Sequence, residues 1–216
     1  ALSPYVSALA SKKAVKNAFA FETEIANEGF LTAAKIQYVS QGYNIRALGY
    51  EYSGSQLVLK GLLSMDYLWN KVRVQGGAYG AFMSIGRGGD LYFGSYRDPK
   101  LKKTFEAYQG VVDYIEQLNL SERELEKYII GTISSKDVPL SASVKGEIAD
   151  NFYFSGVTAE DLQKERDEIL ETTVEQLKSY AQMIAAVLAK NAICVLGSEE
   201  AINEEKELFK VTRYIK

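Results

Sequence analysis

The sequence predicts an α+β domain, a mainly antiparallel sheet packed against a cluster of helices. Three observations lead there. Period-two and β-rich runs crowd the chain before Pro99, helical periodicity takes over after it, and short β-type runs return only near the end. Helices that follow the strands, instead of alternating with them, favour α+β over a doubly wound sheet.

In chain order, "KNAFAFETEI" (16–25) and "TAAKIQYVSQ" (32–41) read as strands, punctuated by Asn27-Glu28-Gly29. "SGSQLVLKGLLSMDYLWNKV" (53–72) carries apolar residues at 58, 59, 62, 63, 65, 68, 69 and 72, a helical stripe that Ser53 or Ser55 would cap. "AYGAFMSIG" and "DLYFGSYRD" are β-type runs joined by Gly86-Arg87-Gly88-Gly89, a hairpin whose tip needs no further role.

From Pro99 the period changes. "PKLKKTFEAYQGVVDYIEQL" is a helix with proline in its first turn. "LSERELEKYIIGTISSKD" opens on a capping box, Ser121 with Glu124. "SASVKGEIADNFYFSG", "TAEDLQKERDEILE" and "TTVEQLKSYAQMIAAVLAK" supply further helices, with Thr158 and Asp161 a weaker box. "NAICVLGS" is a short buried strand, "EEAINEEKELF" a helix and "KVTRYI" a terminal strand. No linker or repeat interrupts residues 1–216, so one domain is expected.

Composition narrows the function. With 47% apolar and 25% charged residues this is an ordinary globular chain, and its net charge of -3 argues against nucleic-acid binding. No apolar run is long enough for a bilayer, so no membrane partner is expected. The single cysteine, Cys194, is read as a small buried hydrophobe. The chain opens on alanine, as a piece of something longer would, and its first residues lack a secretory signal. A cytoplasmic location is expected if the source is bacterial.

There is no histidine. That excludes Ser-His-Asp and Cys-His machinery and the commonest zinc ligand, so no metal site is expected in this chain. Neither "GGAYG" nor "GRGGD" matches a phosphate loop, and neither opens a helix. The acidic runs "SERELEKY", "EDLQKERDEILE" and "SEEAINEEKE" are interleaved with Lys or Arg at helical spacing in part and read as solvated faces.

"VRVQGGAYGAF" survives. Arg73 offers several donors in a fixed fork and Tyr79 one hydroxyl on a rigid arm, with Gly76 and Gly77 between them admitting a close approach of backbone. Such a pair can grip a peptide carbonyl and stabilise it as an oxyanion. On the residues alone, a surface arginine, a packed tyrosine and a loop that needs glycine are the favoured reading.

"LWNKVRVQGGAYGAF" resembles a segment in the C-terminal half of pitrilysin- and insulinase-type zinc metallopeptidases, the presequence-protease branch above all. "KIQYVSQGYNI", "YIIGTISSKDVP" and "KERDEILETTVEQLKSYA" stand in matching order around it. The resemblance implies the last domain of the C-terminal half, one of the half-repeats of a two-halved chamber. It implies that zinc is bound by the N-terminal half of the same chain through an inverted His-x-x-Glu-His motif, absent here. Arg73 and Tyr79 would then be the catalytic pair, binding peptide substrate together with Gly76 and Gly77, while the isolated piece would be inactive. Two other readings remain: a scaffold or partner-binding domain of an inactive processing-peptidase-like homologue, and a free-standing peptide-binding module.

Overall fold

The computed structural model describes Glu24 and residues 26–215. Six runs form strands: β1 (Glu28–Thr32), β2 (Gln37–Asn44), β3 (Gly80–Ile85), β4 (Asp90–Asp98), β5 (Ile193–Ser198) and β6 (Val211–Tyr214). They make one sheet in the order β3-β4-β2-β5-β1-β6. The β3–β4, β4–β2 and β2–β5 pairs are antiparallel, and β5–β1 and β1–β6 are parallel, so the sheet of this α+β fold is mixed.

The helices are α1 (Ser55–Leu62), α2 (Leu101–Gln109), α3 (Val111–Glu116), α4 (Glu122–Lys136), α5 (Ala142–Ser155), α6 (Ala159–Leu170), α7 (Val174–Ser179), α8 (Ala181–Ala189) and α9 (Glu199–Glu204). Among the described residues none is long and apolar enough to cross a membrane. Both expected capping boxes form, the short Asp161 carboxylate closing its own as well as Glu124 closes the other.

One face of the sheet is dry. Val39, Met83, Phe93 and Val195 alternate inward and are fully buried or nearly so. Tyr108 on α2 lies under them, its ring 5.4 Å from Phe93 and its hydroxyl donating to the Val39 carbonyl at 3.2 Å. Burial pushes that phenol above its ordinary range, which keeps it a neutral donor. The other face leaves Tyr38, Phe82, Tyr92 and Tyr96 more than a third exposed.

Several expectations change. The strand expected at 16–25 lies, but for Glu24, outside the described residues. The punctuation expected at Asn27-Glu28-Gly29 is the start of β1, because β5 and β6 flank it and supply its hydrogen bonds. Cys194 faces outward, since Ile193 and Val195 take the inward positions of β5. Partial burial first and the Glu28 charge second push its thiol up, which holds it protonated. Neither Ser53 nor Ser55 caps α1. The Gly54 amide donates instead to Glu168 of α6 at 2.6 Å, and Ser55 shares a hydrogen bond with the Tyr180 hydroxyl.

The acidic run on α6 is not wholly a solvated face. Glu165 is 4% exposed and stands between three elements. It accepts from the Tyr52 hydroxyl at 2.7 Å and from the Lys136 ammonium of α4, and Arg87 Nη2 approaches to 2.8 Å. Arg87 comes from the β3–β4 hairpin tip, which therefore does more than turn. Burial alone would raise the Glu165 carboxyl. Hydrogen bonds from Lys136 and Tyr52 and the two cationic charges outweigh it, and the carboxyl titrates below its ordinary value.

Candidate functional site

The stretch between α1 and β3 owes its shape to how the helix ends. Beyond Leu62 the helix continues in π winding through Leu63–Tyr67 and Trp69–Val74. Such winding is uncommon and frequent at functional sites. The helix stops on a glycine terminator: the Gly77 amide donates to the Arg73 carbonyl at 2.9 Å and the Ala78 amide to the Val72 carbonyl at 3.1 Å. Each loop is one residue wider than in an α-helical terminator, as a π turn requires. Gly77 sits at φ +88°, open to glycine without strain.

Gly76 is held for a different reason. A Cβ there would lie 2.3 Å from the Val72 carbonyl oxygen, an acceptor of the terminator itself. Gly76→Ala is therefore expected to break this turn and to cost more stability than Gly77→Ala, whose added Cβ meets only Pro99 Cγ at 3.4 Å and whose penalty is the left-handed φ, about 1–2 kcal/mol. Urea midpoints of the two variants check the order.

The terminator brings Arg73 and Tyr79 together. Arg73 Nη1 donates to the Tyr79 carbonyl at 2.6 Å. Its guanidinium carbon stands 4.1 Å from the Trp69 ring centroid and 5.5 Å from that of Tyr79. The tyrosine is 57% exposed, and among the described residues its hydroxyl makes no hydrogen bond. Its ring packs edge-on against Tyr96 at 5.5 Å. Tyr96 in turn lies over Gly80, where a Cβ would meet the ring at 2.3 Å. A rigid arm thus carries a phenol outward beside a fixed fork of donors.

Two members of this cluster escaped the sequence reading. Trp69 precedes Arg73 by four residues on the helix, a spacing that places neighbours on one face and would have found it. Arg97 left no such signal. It sits in a bulge of β4, where Tyr96 and Arg97 both fall between the Val39–Ser95 and Gln37–Asp98 pairs. Its φ is +50°, a left-handed conformation that costs a non-glycine residue about 1–2 kcal/mol. Its carbonyl accepts from the Tyr79 amide at 3.3 Å, and its guanidinium carbon lies 5.7 Å from the Tyr79 ring.

Asp98 anchors that bulge from below. It is fully buried and accepts from Ser95 Oγ at 2.6 Å, Thr104 Oγ1 at 2.6 Å and the Lys100 amide at 2.9 Å. Those bonds replace the water a buried carboxylate gives up. No three His, Cys, Asp or Glu side chains come together as a metal-ligand set among the described residues. The described residues therefore offer no set that fits a zinc ion.

Comparison with known proteins settles the family. A family model described as the PreP C-terminal domain matches residues 27–199. The chain belongs to the PreP C-terminal domain family. This PreP C-terminal domain is 50% identical over 194 residues to "Protein HypA" of Clostridium perfringens, covering 90% of this chain and 20% of that protein. It is 36% identical over 192 residues to "Presequence protease 1, chloroplastic/mitochondrial" of Arabidopsis thaliana, covering 87% of this chain and 18% of the relative. The chain thus spans about a fifth of the length of the curated relatives it matches.

Among solved structures, pitrilysin superposes with a TM-score of 0.66 at 12% identity, covering 100% of this chain and 24% of pitrilysin. A peptidase M16 inactive domain from Pseudomonas fluorescens gives 0.62 at 14% identity, covering 91% of this chain and 49% of that one. At those identities the likeness concerns the fold, and it is the fold expected of an insulinase-type peptidase domain.

Proposed function

We propose that this chain is a single domain, the last of the C-terminal half of a zinc-dependent oligopeptidase, and that Arg73 and Tyr79 bind the peptide backbone on the chamber wall. The observation that carries the reading is the exposed phenol pinned beside a guanidinium by the 2.6 Å bond from Arg73 Nη1 to the Tyr79 carbonyl. Arg73 keeps its remaining donors, and Trp69 holds its plane. Gly77 leaves exposed bare backbone next to Tyr79. A peptide carbonyl laid there meets both groups, and it meets them more strongly once charge develops on its oxygen.

The family resemblance supports this assignment of roles, and the printed name of the presequence protease relative supports peptides as the substrate class. Zinc, in this reading, belongs to the N-terminal half of the longer protein, which is also the partner that closes the chamber. The division of labour is tested by peptide hydrolysis. The full-length protein is expected to cleave unstructured peptides and to stop when a chelator removes its metal. The 216-residue chain alone is expected to cleave none, with or without added zinc. Cleavage by this chain alone would overturn the assignment. An inert full-length protein lacking a His-x-x-Glu-His segment would return the domain to a scaffold role.

A further inference from the structure

We propose that Arg97 is a third peptide-contact residue of this site, a receptor for a carboxylate on the substrate; the inference rests on the peptide-binding reading above. Three observations carry it. The first is conformation. The bulge demands a left-handed residue, and the one that meets that demand without strain is glycine, yet an arginine stands there at φ +50°. The turn does not need that side chain, so something outside the turn does.

The second is support. Buried Asp98, next in the chain, is held by three hydrogen bonds, and the Arg97 carbonyl takes the Tyr79 amide. The root of the guanidinium is therefore fixed relative to the phenol. The third is charge. The chain holds 28 acidic against 25 basic residues. Even so, neither Arg73 nor Arg97 pairs with a carboxylate among the described residues, although the two flank one ring at 5.5 and 5.7 Å. Arg73 already spends Nη1 on the Tyr79 carbonyl and stacks on Trp69. Arg97 is exposed, and its donors are uncommitted among the described residues.

An arginine fork matches a carboxylate with two parallel hydrogen bonds. A peptide whose carbonyl lies on Arg73 and Tyr79 therefore offers Arg97 either an acidic side chain near the scissile bond or its own C-terminal carboxylate. Matched peptides separate the two sources: an Asp peptide against its Asn twin, and a free-acid peptide against its C-terminal amide.

The test measures kcat/KM for these pairs in the full-length protein, unaltered and as Arg97→Gln and Arg97→Gly. The unaltered protein is expected to favour one carboxylate peptide over its twin by roughly tenfold to a hundredfold, the worth of a hydrogen bond to a charged group. In both variants that ratio falls toward unity, with the loss carried mainly by the carboxylate peptide. Arg97→Gly is expected to unfold at a urea concentration no lower than the unaltered protein, because glycine relieves the backbone. No preference in either pair, a preference untouched by the variants, or an equal fall for both twins overturns the proposal. So does a clear loss of stability in Arg97→Gly. Failure of the underlying reading shows separately, as a Tyr79→Phe variant that hydrolyses the neutral twins at the unaltered rate.

Discussion

Tyr79→Phe in the full-length protein is expected to lower peptide turnover by about 10²–10³-fold, the usual loss when one preorganised donor to a developing oxyanion is removed. The change deletes one hydroxyl and keeps the ring, so the packing against Tyr96 and both arginines persists. The hydroxyl makes no bond among the described residues, so its loss orphans no partner and stability should hold. The loss should fall on kcat more than on KM, because the bond strengthens as the carbonyl gains charge. Arg73→Ala should cost at least as much, since it also frees the Tyr79 carbonyl and the Trp69 face. Metal content measured beside the rates separates a lost donor from a lost site. Unchanged cleavage by both variants would remove these residues from the reaction.

The second large effect lies away from the site. Glu165→Ala leaves Lys136 and Arg87 facing each other with no acid between them and the Tyr52 hydroxyl without its acceptor. Removing one partner of a buried ion pair costs about 3–5 kcal/mol. The two cations keep 35% and 29% of their side-chain surface, so water screens part of this, and about 2–4 kcal/mol is expected. For a chain of this size that is a fall of roughly 10 °C in Tm. A destabilisation under about 0.5 kcal/mol would show that the network contributes little to the fold.

The same group sets an acid limit. Its carboxyl titrates below the ordinary 4.5, so its contribution is intact above that value and is lost as pH falls through the lowered folded-state value. Urea midpoints followed from about pH 6 down to about pH 3 should fall less steeply in Glu165→Gln than in the unaltered chain.

What could be read ahead of the structure was what local chemistry decides. The boxes at Ser121–Glu124 and Thr158–Asp161 close within three residues, so sequence alone places those helix starts. The hairpin across Gly86–Gly89 is equally local, with the Gly89 amide returning to the Gly86 carbonyl at 2.8 Å. Arg73 and Tyr79 stand out as a candidate pair by their side-chain chemistry beside two glycines, and it is the family resemblance of that segment that raises them above a plain turn. β1 could not be read so. Its five residues take their hydrogen bonds from two strands near the far end of the chain.

Arg97 and Glu165 mark the boundary between the two kinds of knowledge. In sequence one is a charge at the end of a β run and the other a glutamate in an acidic helix, and nothing nearby distinguishes either from solvated surface. A bulge propped by buried Asp98 turns the first toward Tyr79. A lysine 29 residues away and a hairpin arginine make the second an interior ion. The sequence by itself determined the α+β class and the two capping boxes at Ser121 and Thr158. Only the tertiary structure decided which charges are buried and which side chains share a face, because those depend on contacts between elements distant along the chain, which no local pattern encodes.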